Sequence, residues 1–479
     1  MNTLAIDQGT SSTKAMVVGD DGSILSCVEI PVHATLSPDG GVEQDPEELW
    51  RSILEAGRSA LAAARVPVSV VGLANQGETV LAWDLETSRP LSTAISWQDR
   101  RSVSVTARLT DEARELEALT GLPLDPYFAA PKMVWLREHA TVDGVVTTSD
   151  AWLIHRLTGR FMTDVTTASR TMLLDLDARA WSPRAVGLFG LASESMPEIG
   201  RCDEVVGETQ VFGPRLPLAG LAVDQQAALF ADGCLTQGAA KCTYGTGAFL
   251  LANTGSKPVR SRSGLASSVA WDLGGDSTYC LDGQVYTAGS AINWLQEVGL
   301  IAGADELDAL TSSSTREDGP LFVPGLVGLA APFWRPEARG AFLGLSLSTS
   351  RADLVKAVLD GIAASIAWLV RAVEADIGLP LARLTVDGGL TRSRSLMQAQ
   401  ADLAQVAIDV YPTPHATAIG VAAMARLAMG DRDGAMQMNS GWTPAAIYEP
   451  RMSRDAATER LTRWRAGVLA SLTGEGLRE

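Results

Sequence analysis

Asp7, Gln8, Gly9, Thr10, Ser11, Ser12, Thr13 and Lys14 bring a carboxylate, a glycine, four hydroxyls and a cation together within eight residues. Such a turn can wrap phosphate with backbone N–H groups and hydroxyls, while the carboxylate holds the hydrated magnesium of a nucleotide. It is not a Walker A loop, because a second glycine is missing and a strand rather than a helix follows. Read alone, the segment is equally a hydroxyl-rich hairpin turn with an Asx-type bond. Two further turns keep it company. Gly245-Thr246-Gly247 offers a second phosphate turn, and Asp387-Gly388-Gly389 ends an apolar strand with glycines that let a flat purine or ribose approach the backbone. Asp224 follows the apolar run Leu218 to Val223, at the open end of a sheet where α/β ligands bind. It reads either as the N-cap of a helix from Gln225 or as a base accepting the proton of an attacking hydroxyl. Glu78 and Trp97 also stand just past apolar runs. There a carboxylate can accept hydroxyl protons and an indole can cover a carbon skeleton, or the pair is a surface Glu and a core-edge Trp.

The elements that would position these groups begin with a meander. Leu4 to Ile6, Ala15 to Val18 and Ile24 to Ile30 are strands, with a turn at Gly19-Asp20-Asp21-Gly22. Asp45-Pro46-Glu47-Glu48 starts a helix, with Asp45 as cap, Pro46 in the first turn and Glu48 three residues after the cap. Strands and helices then alternate: Val68 to Ala74, a helix around Lys132 to His139, another after a cap at Asp150, and strand Leu218 to Val223 into helix Gln225 to Ala231. This order predicts an α/β protein with mixed sheets. The second half starts again in the same way, since Ala240 to Tyr244, the glycine turn and Ala248 to Asn253 echo Leu4 to Val18. A capped helix over Ser350 to Ile377 is long enough to lie along a sheet or between two lobes. Two lobes, 1–232 and 233–479, are expected, with the boundary at Asp232-Gly233.

Composition narrows the function classes. With 479 residues, 46% hydrophobic and 20% charged, the chain can bury the cores of two or three domains. Lys+Arg 39 against Asp+Glu 56 gives a net charge of −17, which disfavours nucleic acid and anionic membranes as partners. Five cysteines stand singly, as suits a reducing cytoplasm, and four unpaired histidines argue against a zinc site. Asp7 interrupts the apolar start too early for a secretory signal, and no run approaches the roughly 18 residues of a membrane span.

Taken together, these motifs resemble the FGGY carbohydrate kinase family, its glycerol kinases above all. Asp7 to Ala15 is similar to the family's phosphate loop, Ala94 to Arg101 to its substrate strand, and Gly220 to Phe230 to its base-bearing segment. Thr243 to Phe249 follows at the expected distance. Tyr127 to His139 resembles one family signature, with Lys132 and Trp135 in place but Ala129 where Ser, Thr or Pro is usual; Gly340 to Asp360 resembles the other. The likeness runs from about residue 4 to about residue 465. It implies two actin-like, ribonuclease-H-like lobes closing on ATP and Mg²⁺, with ATP/ADP and a small polyol or sugar as ligands, and it allows a homodimer or homotetramer.

Carried over residue by residue, the resemblance makes Asp224 the base and, with Asp7, an organiser of magnesium. Glu78, Trp97, Tyr127, Gln225 and Phe249 become the polyol pocket. Thr10, Ser11, Lys14, Thr246, Gly289, Gly389 and Asn293 become nucleotide contacts, beside Ser12, Gly245 and Gly388 of the three turns. Lys14 stands where many relatives have Arg, keeping the charge but losing the planar fork. Where glycerol kinases usually read Asn-Gln-Arg-Glu, this chain reads Asn75-Gln76-Gly77-Glu78, so the guanidinium expected on the substrate is missing at that position. Gly77 then either opens room for a larger substrate or leaves a gap that another Arg or a water fills. The resemblance thus implies a kinase for glycerol or a related polyol. A xylulose, ribulose or tetritol kinase and a non-catalytic nucleotide-binding protein on the same fold are the alternatives. Relatives inhibited by a sugar bisphosphate carry a glycine-rich loop with an Arg before the base segment; Val211 to Pro217 is shorter and proline-stiffened.

Overall fold

The computed structural model describes residues 1–314 and 318–473. Two mixed sheets dominate it. The first holds β1 (Thr3–Gln8), β2 (Ser12–Val18), β3 (Ile24–Pro31), β4 (Val70–Asn75), β5 (Val205–Thr209) and β6 (Leu216–Val223), in spatial order β5-β6-β4-β1-β2-β3. The second holds β7 (Ala240–Tyr244), β8 (Ala248–Gly255), β9 (Ala266–Leu273), β10 (Asp276–Val285), β11 (Arg383–Asp387), β12 (Ala407–Val410) and β13 (Ala446–Tyr448), in order β9-β10-β8-β7-β11-β12-β13.

The expected echo is present strand by strand. β1 pairs antiparallel with β2 and parallel with β4, while β7 pairs antiparallel with β8 and parallel with β11. In both sheets a further parallel strand and an outer antiparallel strand follow, β6 and β5 in one and β12 and β13 in the other. A parallel neighbour must be reached through a crossover, which is why a hairpin and distant helical segments alternate in the chain.

The principal helices are α1 (Pro46–Ala64), α2 (Asp224–Ala231), α3 (Gly289–Glu297), α4 (Arg351–Ile377), α5 (Arg394–Ala404) and α6 (Ala416–Ala428). Strand residues point alternately to the two sheet faces. Leu4 and Ile6 therefore pack with Leu49 and Ile53 of α1, while Ala5 and Met16 pack with Val421 and Ala422 of α6. A helix late in the chain thus covers the sheet that the chain begins. Glycine makes that approach possible: a Cβ on Gly72 would lie 2.8 Å from the Val421 carbonyl oxygen, and one on Gly420 only 1.9 Å from that of Ala227 in α2. The long helix α4 lies along the second sheet, where Ile362, Ile366 and Val370 share a core with Cys242 and Leu250.

The capping expectations met mixed outcomes. Ser350 caps α4 in a full capping box with Asp353. Asp45 caps α1, but Glu48 turns away and accepts from the His33 backbone N–H instead of completing a box. Asp150 does not cap its helix; Thr148 is the capping residue of Ser149–Thr158, and Asp150 is buried in the first turn, accepting from the Thr163 hydroxyl at 2.5 Å. Asp224 is likewise not a cap: it is the first residue of α2, whose cap is Val223. Among the described residues no helix is long and apolar enough to cross a membrane.

Candidate active site

A cavity of about 380 Å³ opens where the C-terminal ends of β1, β4, β6, β7 and β11 meet. Asp7, Thr10, Ser11, Ser12 and Lys14 line it from the first turn, and Gly245, Thr246, Gly388 and Gly389 from the second lobe. Gly77, Glu78, Trp97, Tyr127, Asp224, Gln225 and Phe249 complete the wall. Gly289 and Asn293 do not line it. Gly289 starts α3 and packs behind the second turn, and Asn293 is exposed one helical turn further on.

The β1–β2 turn is closed by a Gly9 N–H to Ser12 carbonyl bond of 3.0 Å. Its acceptors are already engaged: Gln44 donates to the Thr10 carbonyl at 2.8 Å and the Val32 N–H to the Ser11 carbonyl at 3.0 Å. Glu29, opposite Lys14 in the β2–β3 register, takes the Ser12 hydroxyl at 2.6 Å and stands 3.9 Å from the Lys14 ammonium. The second turn is fixed by backbone. Gly245 N–H bonds to the Gly247 carbonyl at 2.9 Å, and Gly289 N–H returns to the Gly245 carbonyl at 3.0 Å. Gly388 has φ +95°, and a Cβ there would lie 2.4 Å from the Tyr244 carbonyl oxygen, so only glycine fits.

Asp224 sits between the turns. Its Oδ1 accepts from the Gln225 N–H at 2.7 Å and its Oδ2 faces the Gln225 amide at 3.3 Å. Burial, reinforced by the Asp7 carboxylate, pushes Asp224 up to about 6, against the opposing pull of Lys241. Asp7 is also pushed up to about 6, chiefly by burial, with Lys14 opposing. Lys241, fully buried on β7, donates to the Gln225 side-chain oxygen at 2.5 Å and the Thr243 hydroxyl at 2.7 Å. Asp387, buried at the end of β11, is raised by burial and held back by the same lysine. Lys241 was missed from sequence, although a lysine inside an apolar strand was a signal, and Asp387 was read only as the start of its glycine turn.

In the aromatic wall, Trp97 stands edge-on to Tyr127 and Phe249, with ring centroids 5.8 and 5.7 Å away. Its indole N–H donates to the Thr10 hydroxyl at 2.9 Å, joining this wall to the first phosphate turn. Lys132 holds the Tyr127 segment by donating to the carbonyls of Pro126, Tyr127 and Phe128. Deep burial pulls that lysine down to about 7. A side chain at Gly77 would meet Val223, with Cβ 3.3 Å from Cγ1. The pocket nevertheless has a guanidinium, supplied from another position than 77. Arg170 lines the cavity, donates from Nε to Glu78 at 2.5 Å, places Nη1 2.5 Å from Asp282 Oδ2 and reaches the Tyr127 hydroxyl at 3.4 Å. Glu78 is raised by burial in spite of this partner, while Glu78 and Asp282 together hold Arg170 firmly protonated. No local pattern marks Arg170, which meets Glu78 across 92 residues.

The N-terminal domain of the FGGY family of carbohydrate kinases matches residues 2–231, and its C-terminal domain matches residues 240–429. The chain belongs to the FGGY family. A glycerol kinase of Burkholderia cenocepacia is 38% identical over 98% of this chain and 97% of its own, and one of Bordetella parapertussis is 38% identical over 97% and 96%. Glycerol kinase of Plasmodium falciparum, solved with ADP, superposes with a TM-score of 0.90 at 29% identity, covering 98% of both chains. Xylulose kinase of Lactobacillus acidophilus gives 0.89 at 19% identity over 98% of each chain, a likeness of fold alone. The protein is therefore a carbohydrate kinase with the two-lobed, actin-like architecture of the FGGY family.

Proposed function

We propose that the protein transfers the γ-phosphoryl group of ATP to a terminal hydroxyl of glycerol or a closely related small polyol. One observation carries this reading: Asp224 lies in a single cavity between phosphate-type turns and a wall of Glu78, Tyr127, Trp97 and Phe249. In its ionised form Asp224 accepts the proton of the attacking hydroxyl, while Gln225, tied to Lys241, fixes the carboxylate's orientation. Thr10, Ser11, Ser12 and Lys14 from one side, and Gly245, Thr246 and Gly389 from the other, receive the phosphates, with Gly289 and Asn293 toward the nucleoside. Residues 1–232 then form the lobe that binds polyol, and 233–479 the lobe that binds mainly nucleotide.

The donor set fits magnesium. Asp7 and Asp224 are two half-buried carboxylates raised by desolvation, a concentration of negative charge that a hydrated divalent ion on the nucleotide relieves. When bound, Mg²⁺ supplies charge neutralisation to the phosphoryl group. Five free cysteines accord with the cytoplasm as the site of action. A xylulose, ribulose or tetritol kinase is the second reading, favoured by the missing side chain at Gly77. ADP release measured over a panel of polyols and ketoses decides between them, and no turnover with any would sink both.

A further inference from the structure

We infer that Arg170 and Asp282 form a hydroxyl-reading pair at the inner end of the polyol pocket, which makes the kinase selective for substrates with a hydroxyl remote from the one phosphorylated. This rests on the polyol-kinase reading above. Arg170 and Asp282 both line the cavity and are buried to within a few per cent, one beside the base-bearing lobe and the other on β10 of the second sheet. Their charges touch, Nη1 to Oδ2 at 2.5 Å, yet Nη1 has no aligned hydrogen bond and Asp282 Oδ1 has none. Asp282 Oδ2 is already taken by the Gln284 amide at 2.6 Å, and Arg170 Nε by Glu78. What remains is one unused donor beside one unused acceptor, both desolvated, on two side chains that line the cavity. An alcohol is at once acceptor and donor, so a single C–OH satisfies both, which neither a carbonyl nor a methyl can do.

Gly77 sharpens the assignment. A guanidinium from that position would start against Val223, whereas Arg170 is tied to the far side of Glu78 by Asp282 and Tyr127. The hydroxyl nearest the attacking one falls to Glu78, and the next along the carbon chain to the Arg170–Asp282 pair. A vicinal triol is then the smallest complete substrate. A diol lacking the remote hydroxyl strands a buried donor and acceptor, the situation in which sites discriminate most strongly.

The test compares kcat/KM for glycerol with 1,2-propanediol, and for erythritol with 1,2,4-butanetriol, in the wild type, Arg170→Lys and Asp282→Asn. ADP binding is measured by calorimetry in each. The wild type should reject the deoxy partner by about 10²- to 10⁴-fold. Both variants should lose most of that preference through a raised KM for the full polyol, with kcat and ADP affinity little changed. A merely structural pair would instead lower the melting temperature and slow both members of each couple alike. Undiminished discrimination in both variants, or a wild type indifferent to the remote hydroxyl, overturns the inference alone. A wild type that binds ADP but phosphorylates neither full polyol removes the polyol reading, and this inference with it.

Discussion

The β1–β2 and β7–β8 turns occupy matching places in matching sheets, yet they are built by opposite means. Side chains hold the β1–β2 turn: Trp97 on Thr10, Gln44 on the Thr10 carbonyl, Glu29 on Ser12 and Lys14. The β7–β8 turn is held by main chain, with Gly247, Gly289 and Gly388 packed at distances no side chain tolerates. Topology therefore does not dictate how a turn is fixed. The first turn is joined to the wall of Trp97, Tyr127 and Phe249 by a side-chain bond, whereas the second is fixed sterically by its own backbone.

The largest expected effect is at the group between them. Asp224→Asn should retain ADP binding and lose about 10²- to 10⁴-fold in turnover, because an amide cannot accept the hydroxyl proton. Stopped-assay rates beside calorimetric ADP affinity check it, and near-normal turnover would strip Asp224 of the base role. The pH profile carries the same claim. Activity should be full above the Asp224 value of about 6 and fall as pH drops through it, steepened by Asp7 titrating in the same range. In the second turn, Gly388→Ala adds a Cβ 2.4 Å from a carbonyl at a positive φ. A loss of roughly 1–3 kcal/mol in stability is expected, with weakened nucleotide binding and unchanged ranking of polyols. Denaturant titration and the substrate panel decide it; a shifted ranking would break the contrast between the turns.

Trp97→Phe removes the bond to Thr10 while keeping an aromatic wall. A neutral hydrogen bond contributes about 0.5–1.5 kcal/mol, so effects of roughly two- to tenfold should appear together in the apparent affinities for polyol and ATP. Thr10→Val should do the same, and the double variant should add little, which a double-mutant cycle on KM values measures. The smallest expected effect is none: fructose 1,6-bisphosphate should leave the rate unaltered. Residues 211–215 lie pinned on α1, where Arg58 donates to the Val211 carbonyl and Gly57 faces Phe212. Inhibition at micromolar concentrations would overturn this.

Local chemistry was legible in the sequence wherever backbone and neighbouring side chains decide it. The hairpins, their glycine turns, the Asp45 and Ser350 caps and the run into Asp224 were all readable from spacing. Asp150 was misread as a cap, and the cap reading kept open for Asp224 failed, because a cap and a first-turn acid differ by only one or two residues, and backbone angles rather than composition settle which is which. Arg170, Asp282, Lys241 and Asp387 escaped as site residues because each acquires its role only from partners brought close by folding. Residue type alone does not say which buried charge will meet which. The placement of α6 was equally invisible, since chain order assigns it to the second half while its apolar face fits the first sheet.

That placement has a consequence for synthesis. The first sheet is complete in strands at Val223, but the helix that seals one of its faces begins at Ala416. At about 5–20 residues per second, a ribosome needs roughly 10 to 40 s to travel between them. Through that interval the nascent N-terminal half presents Ala5, Met16 and Ala74 uncovered, and chaperones have their natural window of engagement there. A stop codon anywhere before the end of α6 would strand that face for good, so truncated products should aggregate even when every residue lining the cavity has been translated.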